Sequence, residues 1–134
     1  MTLIIFALVA QETIKKKLAI FLDHDKIGMN KDQYLMMCEQ TGEEIDWEKC
    51  PPAYEDFPDV VHNALNIYNS MGNRIYPDVG FTGKDYSNFD FLLELYNVQS
   101  FDKEFLMELL LFLDSREIEA SQKAIKSAYD KIKK

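Results

Sequence analysis

Residues 56–98, DFPDVVHNALNIYNSMGNRIYPDVGFTGKDYSNFDFLLELYNV, read as a helix, an aromatic turn region and a second helix. Pro58 suits the first turn of a helix, where its missing N–H has no intrahelical partner to lose. Asp56 stands upstream as a cap, and Asp59 lies beside the positive end of the helix dipole. Val60, Val61, Ala64, Leu65, Ile67 and Tyr68 spread over more than one side, so the helix over 58–70 is predicted to be central. Gly72-Asn73 stops it. Ile75 to Phe81 alternates loosely around the turn dipeptide Pro77-Asp78, which predicts a short β-hairpin or irregular turn around 74–86. Ser87, with Asp90 three residues on, reads as a capping box that opens a helix over 88–97. Phe89, Leu92, Leu93 and Tyr96 of that helix are expected to face inward.

Outward from this segment the pattern stays helical. Asn30 caps a helix over 31–41, with Tyr34, Leu35, Met37 and Cys38 as its buried stripe and Gly42 at the C-terminal cap. Residues 43–57 then form a loop, with Trp47, Tyr54 and Phe57 expected to anchor it in the core. Ser100 or Asp102 caps a final helix that meets neither Gly nor Pro before the C-terminus. Its first half, Phe105 to Leu113, is apolar almost all round. Its second half keeps only Ile118, Ile125 and Ile132, seven residues apart, with Ser121 and Ala128 between them. That thin stripe buries little area and holds the helix down less firmly than the first half does. Residues 3–22 fit an amphipathic helix through Leu3, Ala7, Ala10, Ile14, Leu18 and Phe21. A strand over 3–9 followed by a short helix is the competing reading. The expected fold is mainly α: four to five helices in one compact domain, with the helices at 58–70, 88–97 and 102–114 packed together.

Length and composition agree with one domain over 1–134, large enough for a core of its own. Met29, with Asn30 behind it, is a second candidate start, which would make 1–28 an extension ahead of a 29–134 core. The apolar run Thr2–Ala10 is too short to span a membrane, and Lys15-Lys16-Lys17 follows it rather than preceding it as in a secretory signal. The expected location is cytoplasmic, without membrane association. The net charge of −8 disfavours direct nucleic-acid binding, which needs clustered basic residues. Charge is unevenly placed: residues 29–59 hold nine acids against two bases, and residues 116–134 hold six bases against three acids.

The chemistry-bearing residues form no established motif. Gly83-Lys84 would end a phosphate-binding loop, but Asp78 stands where the first glycine belongs and Asp85 where the magnesium-binding hydroxyl belongs. Both would repel a triphosphate. Cys38, Cys50, His24 and His62 lack zinc-site spacing and read as free thiols and ordinary histidines. A Cys50–His62 nucleophile pair has no local motif behind it. The acidic pairs Glu43-Glu44 and Glu55-Asp56, and Asp85 with Asp90, match no calcium loop. The expectation is no enzyme activity and no cofactor, catalytic residue or metal site.

Candidate contact residues fall into three groups. Glu43, Glu44 and Trp47 lie in the acidic region, and Ile118, Ile125 and Ile132 lie on the thin helical stripe. Tyr76, Phe81 and Tyr86 cluster around the turn region, where they either roof the core or meet a partner. The segments Met29-Asn30-Lys31-Asp32-Gln33-Tyr34, Asp56-Phe57-Pro58 and Gly80 to Tyr86 resemble, in that order, small acidic proteins of unknown function encoded by tailed bacteriophages. The resemblance covers residues 29–134, assigns no functional residues and implies a phage-related, non-enzymatic protein. The leading expectation is therefore a protein–protein interaction or assembly-accessory protein with an unknown protein partner. It docks through the acidic 39–59 region or the C-terminal helix, and homo-oligomerisation through the isoleucine stripe is open. The alternative is an acidic mimic that occupies a nucleic-acid-binding protein; a small enzyme comes third.

Overall fold

The computed structural model describes residues 2–133, with side chains from Ala10 onward. The protein is mainly α, with five α-helices and a two-stranded antiparallel hairpin among the described residues. The chain divides into two compact units, Met1–Pro58 and Asp59–Lys134.

In the first unit, α1 runs unbroken over Thr2–Lys26, so the strand alternative for 3–9 does not form. It ends where Gly28 takes φ +72°. The Gly28 N–H bonds the Asp25 carbonyl at 3.1 Å and the Met29 N–H bonds the His24 carbonyl at 2.9 Å, which satisfies two carbonyls of the last turn. Two residues later Asn30 opens α2 (Lys31–Thr41) with a reciprocal capping box: Gln33 N–H to Asn30 Oδ1 at 2.9 Å, and Asn30 N–H to Gln33 Oε1 at 2.8 Å. Gly42 closes α2 in the left-handed region. Of the expected α2 stripe only Cys38 is buried; Tyr34 and Leu35 are half-buried and Met37 is exposed. Five consecutive apolar residues, 34–38, wrap a helix on every side, so they cannot all face one way.

The loop from 43 to 58 corrects a second expectation. Phe57 is buried and meets Phe21 edge to face at 5.5 Å, but Tyr54 and Trp47 are both exposed. Asp56 also acts elsewhere than expected. Its Oδ2 accepts the Ala53 N–H at 2.9 Å and pairs with Lys31 Nζ at 3.0 Å, bracing the single 3-10 turn Tyr54–Asp56.

In the second unit, α3 spans Asp59–Ser70 with Pro58 just ahead of it. Val61, Ala64 and Ile67 are fully buried, as its wide apolar arc requires. The hairpin follows: β1 (Asn73–Tyr76) pairs with β2 (Gly80–Lys84) in the register Tyr76–Gly80, Ile75–Phe81 and Asn73–Lys84, with a bulge between Asn73 and Ile75. Asp78 (φ +64°) and Gly80 (φ +86°) make the reversal, and the Asp85 N–H bonds the Gly72 carbonyl at 2.8 Å to close its base.

Helix α4 is short, Phe89–Leu95, and Ser87 does not cap it. The Asp85 carboxylate takes both the Ser87 N–H at 2.9 Å and the Ser87 hydroxyl, so this local turn consumes the expected cap. The helix ends at left-handed Asn97, where the Val98 N–H returns to the Leu93 carbonyl at 3.0 Å. A 3-10 turn, Ser100–Asp102, leads into α5 (Lys103–Ile132). Asp102 occupies the cap position but its side chain makes no capping bond. Leu106, Leu109 and Leu110 of α5 are fully buried, and α5 packs on α3 and on β2.

Candidate functional site

The acidic loop is a built feature. Glu43 to Lys49 are all exposed, while the next residue, Cys50, is buried. Asp46 organises the turn: its Oδ1 accepts the Glu48 N–H at 3.0 Å and its carbonyl accepts the Cys50 N–H at 2.9 Å. Helices α1 and α2 then hold the turn from outside. Lys17 Nζ donates to the Trp47 carbonyl at 3.0 Å, and the Tyr34 hydroxyl reaches the Asp46 carbonyl at 3.4 Å. The Trp47 backbone is thus clamped while the residue stays 61% exposed. Beside it lies a groove of about 300 Å3, lined by Ile14, Trp47, Pro51, Pro52 and Phe57, with Lys17, Lys31 and Asp56 among its polar residues. Cys50 also lines this groove, but burial pushes its thiol pKa up, opposite to what a thiolate nucleophile needs.

The second arrangement is internal. Asp114 of α5 is buried, and its Oδ1 accepts the Lys84 backbone N–H at 3.1 Å while its Oδ2 accepts the Tyr86 hydroxyl at 2.8 Å. The Tyr68 hydroxyl is buried close to the same carboxylate but makes no hydrogen bond of good geometry. Lys84 Nζ lies 4.6 Å from the centre of the Tyr68 ring and donates to the Met71 carbonyl at 3.3 Å. Burial, reinforced by Asp114, raises the pKa of both Tyr68 and Tyr86. The carboxylate is taken up by donors of its own chain, and it ties β2 and the segment after it to α5. Asp114 was not singled out from the sequence, yet a signal existed: Leu106, Leu110 and Asp114 follow one another at four-residue steps along the buried face of α5.

The other sequence-derived candidates scatter. Tyr76 points outward, with Arg74 Nη2 donating to its hydroxyl at 3.3 Å. Phe81 is half-buried, and its N–H donates to Ser121 Oγ at 3.1 Å. Tyr86 turns inward to Asp114, so Tyr76 and Tyr86 do not share a face. Ile118 and Ile125 lie against the hairpin glycines: a Cβ on Gly83 would sit 4.0 Å from Ile118 Cδ1, and one on Gly80 would sit 2.5 Å from Ile125 Cδ1. Ile132 is 82% exposed. Glu43, Glu44 and Trp47 remain together on the loop. His62 is half-buried, 4.0 Å from the Asp59 carboxylate. Sequence reasoning also missed the outward apolar residues Phe91, Leu95 and Phe101.

Among the described residues no group of three or more His, Cys, Asp or Glu side chains is arranged to hold a metal ion, and no helix is long and apolar enough to cross a membrane. No protein-family model, curated protein or solved structure matches the chain.

Proposed function

We propose that the chain is a non-enzymatic protein-docking module of the assembly-accessory kind, with the Trp47 loop as its binding surface and a basic protein surface as its partner. The observation that carries this reading is the exposure of Trp47 on a backbone clamped by Lys17 and Tyr34. A large aromatic side chain held out on a fixed turn loses little freedom on binding, and tryptophan is the residue type most enriched among energetic anchors. Glu43, Glu44 and Glu48 surround it with exposed negative charge, which steers a positive partner and sets register. The resemblance of residues 29–134 to small acidic phage proteins suggests phage assembly as the setting.

The test is affinity capture from the native host with the wild-type chain, Trp47→Ala, and Glu43→Gln combined with Glu44→Gln. Loss of an anchor tryptophan costs about 2 kcal/mol or more, roughly thirtyfold in affinity, so Trp47→Ala should lose the captured partner. The neutralised variant should weaken capture mainly at low salt. Capture indifferent to Trp47 defeats the proposal. Capture of nucleic-acid-binding proteins that added DNA displaces would favour the acidic-mimic reading of the same surface.

A further inference from the structure

The acidic loop and the C-terminal end of α5 carry opposite charge. Ile125, Tyr129 and Ile132 recur at i, i+4 and i+7, so they share one face of α5, and they are 38%, 60% and 82% exposed. Exposure rises along this row because β2 reaches Ile125 through Gly80. The flanks are basic: Lys126, Lys131 and Lys133 accompany the row, and Lys133 Nζ lies 5.3 Å from the centre of the Tyr129 ring. An amphipathic helix end of this kind is the ordinary occupant of an apolar groove with acidic surroundings. The groove beside Trp47 is apolar at Ile14, Pro51, Pro52 and Phe57; of its charged lining Lys31 is paired with Asp56 and Lys17 is held by the Trp47 carbonyl, while the adjoining loop carries exposed Glu43, Glu44 and Glu48.

We infer that the C-terminal end of α5 from one copy docks into the Trp47 groove of a second copy. Tyr129 and Ile132 supply the apolar contact, and the lysines meet the acidic loop. This rests on the reading of the Trp47 loop as a docking surface and names one occupant of it. The contact joins two different surfaces, so each dimer keeps one unused tail and one unused groove, and association continues until a ring closes or a filament grows. One helix end in one groove is a small interface, so the association is weak and concentration-dependent. It is also salt-sensitive, because both partners present exposed charge.

The test is sedimentation velocity of the full chain over a wide concentration range, with circular dichroism to establish that each variant folds. The wild type should gain mass with concentration and lose it as salt is raised. Trp47→Ala should stay monomeric, as should Tyr129→Asp combined with Ile132→Asp. An equimolar mixture of these two variants should form a dimer and stop there, because only one intact groove and one intact tail remain between them. Association that survives both variants, or a mixture that stays monomeric, overturns the inference. A wild type that is monomeric throughout, yet captures a host protein through Trp47, overturns self-docking alone and leaves the docking loop standing.

Discussion

Tyr86 donates its hydroxyl to Asp114 at 2.8 Å across 28 positions of sequence, tying the segment after the hairpin to the longest helix. The bond is charge-assisted, and Asp114 is buried. Tyr86→Phe should therefore destabilise the protein by about 1–2 kcal/mol, and Asp114→Ala by about 2–4 kcal/mol because it also orphans the Lys84 N–H. Tyr68→Phe should behave differently. It removes a buried hydroxyl that makes no well-formed hydrogen bond to the nearby Asp114 and keeps the ring beneath Lys84, so the change should be close to neutral, within about 1 kcal/mol. Urea unfolding of the three variants decides the matter, and a large loss in Tyr68→Phe would contradict the account.

The same tyrosines make stability fall at alkaline pH. Burial, with Asp114 adding to it, raises both above the ordinary value of 10.0. A raised folded-state pKa means that the folded chain keeps protons the unfolded chain releases. The stabilisation is complete below the unfolded value and is lost as pH rises above 10 toward the folded values. Thermal unfolding measured from pH 8 to 11 should show a declining midpoint in the wild type. The decline should be shallower when Tyr68 and Tyr86 are both replaced by Phe, and each single replacement should remove a similar share of it. Equal slopes in the two proteins would assign the decline to other groups.

Gly80 lies against α5 and is doubly constrained. Its φ is +86°, and a Cβ there would lie 2.5 Å from Ile125 Cδ1 and 2.6 Å from Ser121 Oγ. Gly80→Ala should cost about 1–3 kcal/mol, from backbone strain and from displacement of the Ser121 hydroxyl that accepts the Phe81 N–H. Trimming the neighbour with Ile125→Ala removes one collision but leaves the positive φ, so the double variant should recover only part of the loss. A double-mutant cycle with unfolding free energies measures this coupling, and full recovery would show that backbone strain at Gly80 is unimportant.

The helices were readable wherever local chemistry decides the outcome. Asn30 and Gly42 bracket α2 because a cap needs only residues within one turn, and the wide arc of α3 announced its burial directly. Local competition defeated the Ser87 cap, since Asp85 two residues earlier takes both its N–H and its hydroxyl. Long-range contacts were out of reach. Nothing in the spacing of Ile118 and Ile125 says that glycines some 40 positions earlier would cover them, although the bond from Phe81 to Ser121 spans that separation. Trp47 failed for another reason. A large aromatic usually buries, but here Lys17 and Asp46 fix the backbone of the turn and leave the side chain outside.

That exposure makes Trp47 a built-in reporter, because it is the chain's one tryptophan. In the unbound protein at low concentration its fluorescence should be readily quenched by acrylamide, since the residue is 61% exposed. A partner that seats on the loop removes the indole from water, so quenching should fall and emission should shift to shorter wavelength. Buried aromatic anchors account for most of the energy of such contacts, which is why the optical change should track binding itself. Raising salt should return both signals toward the unbound values to the extent that Glu43 and Glu44 guide the encounter. A captured partner that leaves Trp47 as quenchable as before must bind elsewhere, and the outward residues Phe91, Leu95 and Phe101 would then be the next surface to substitute.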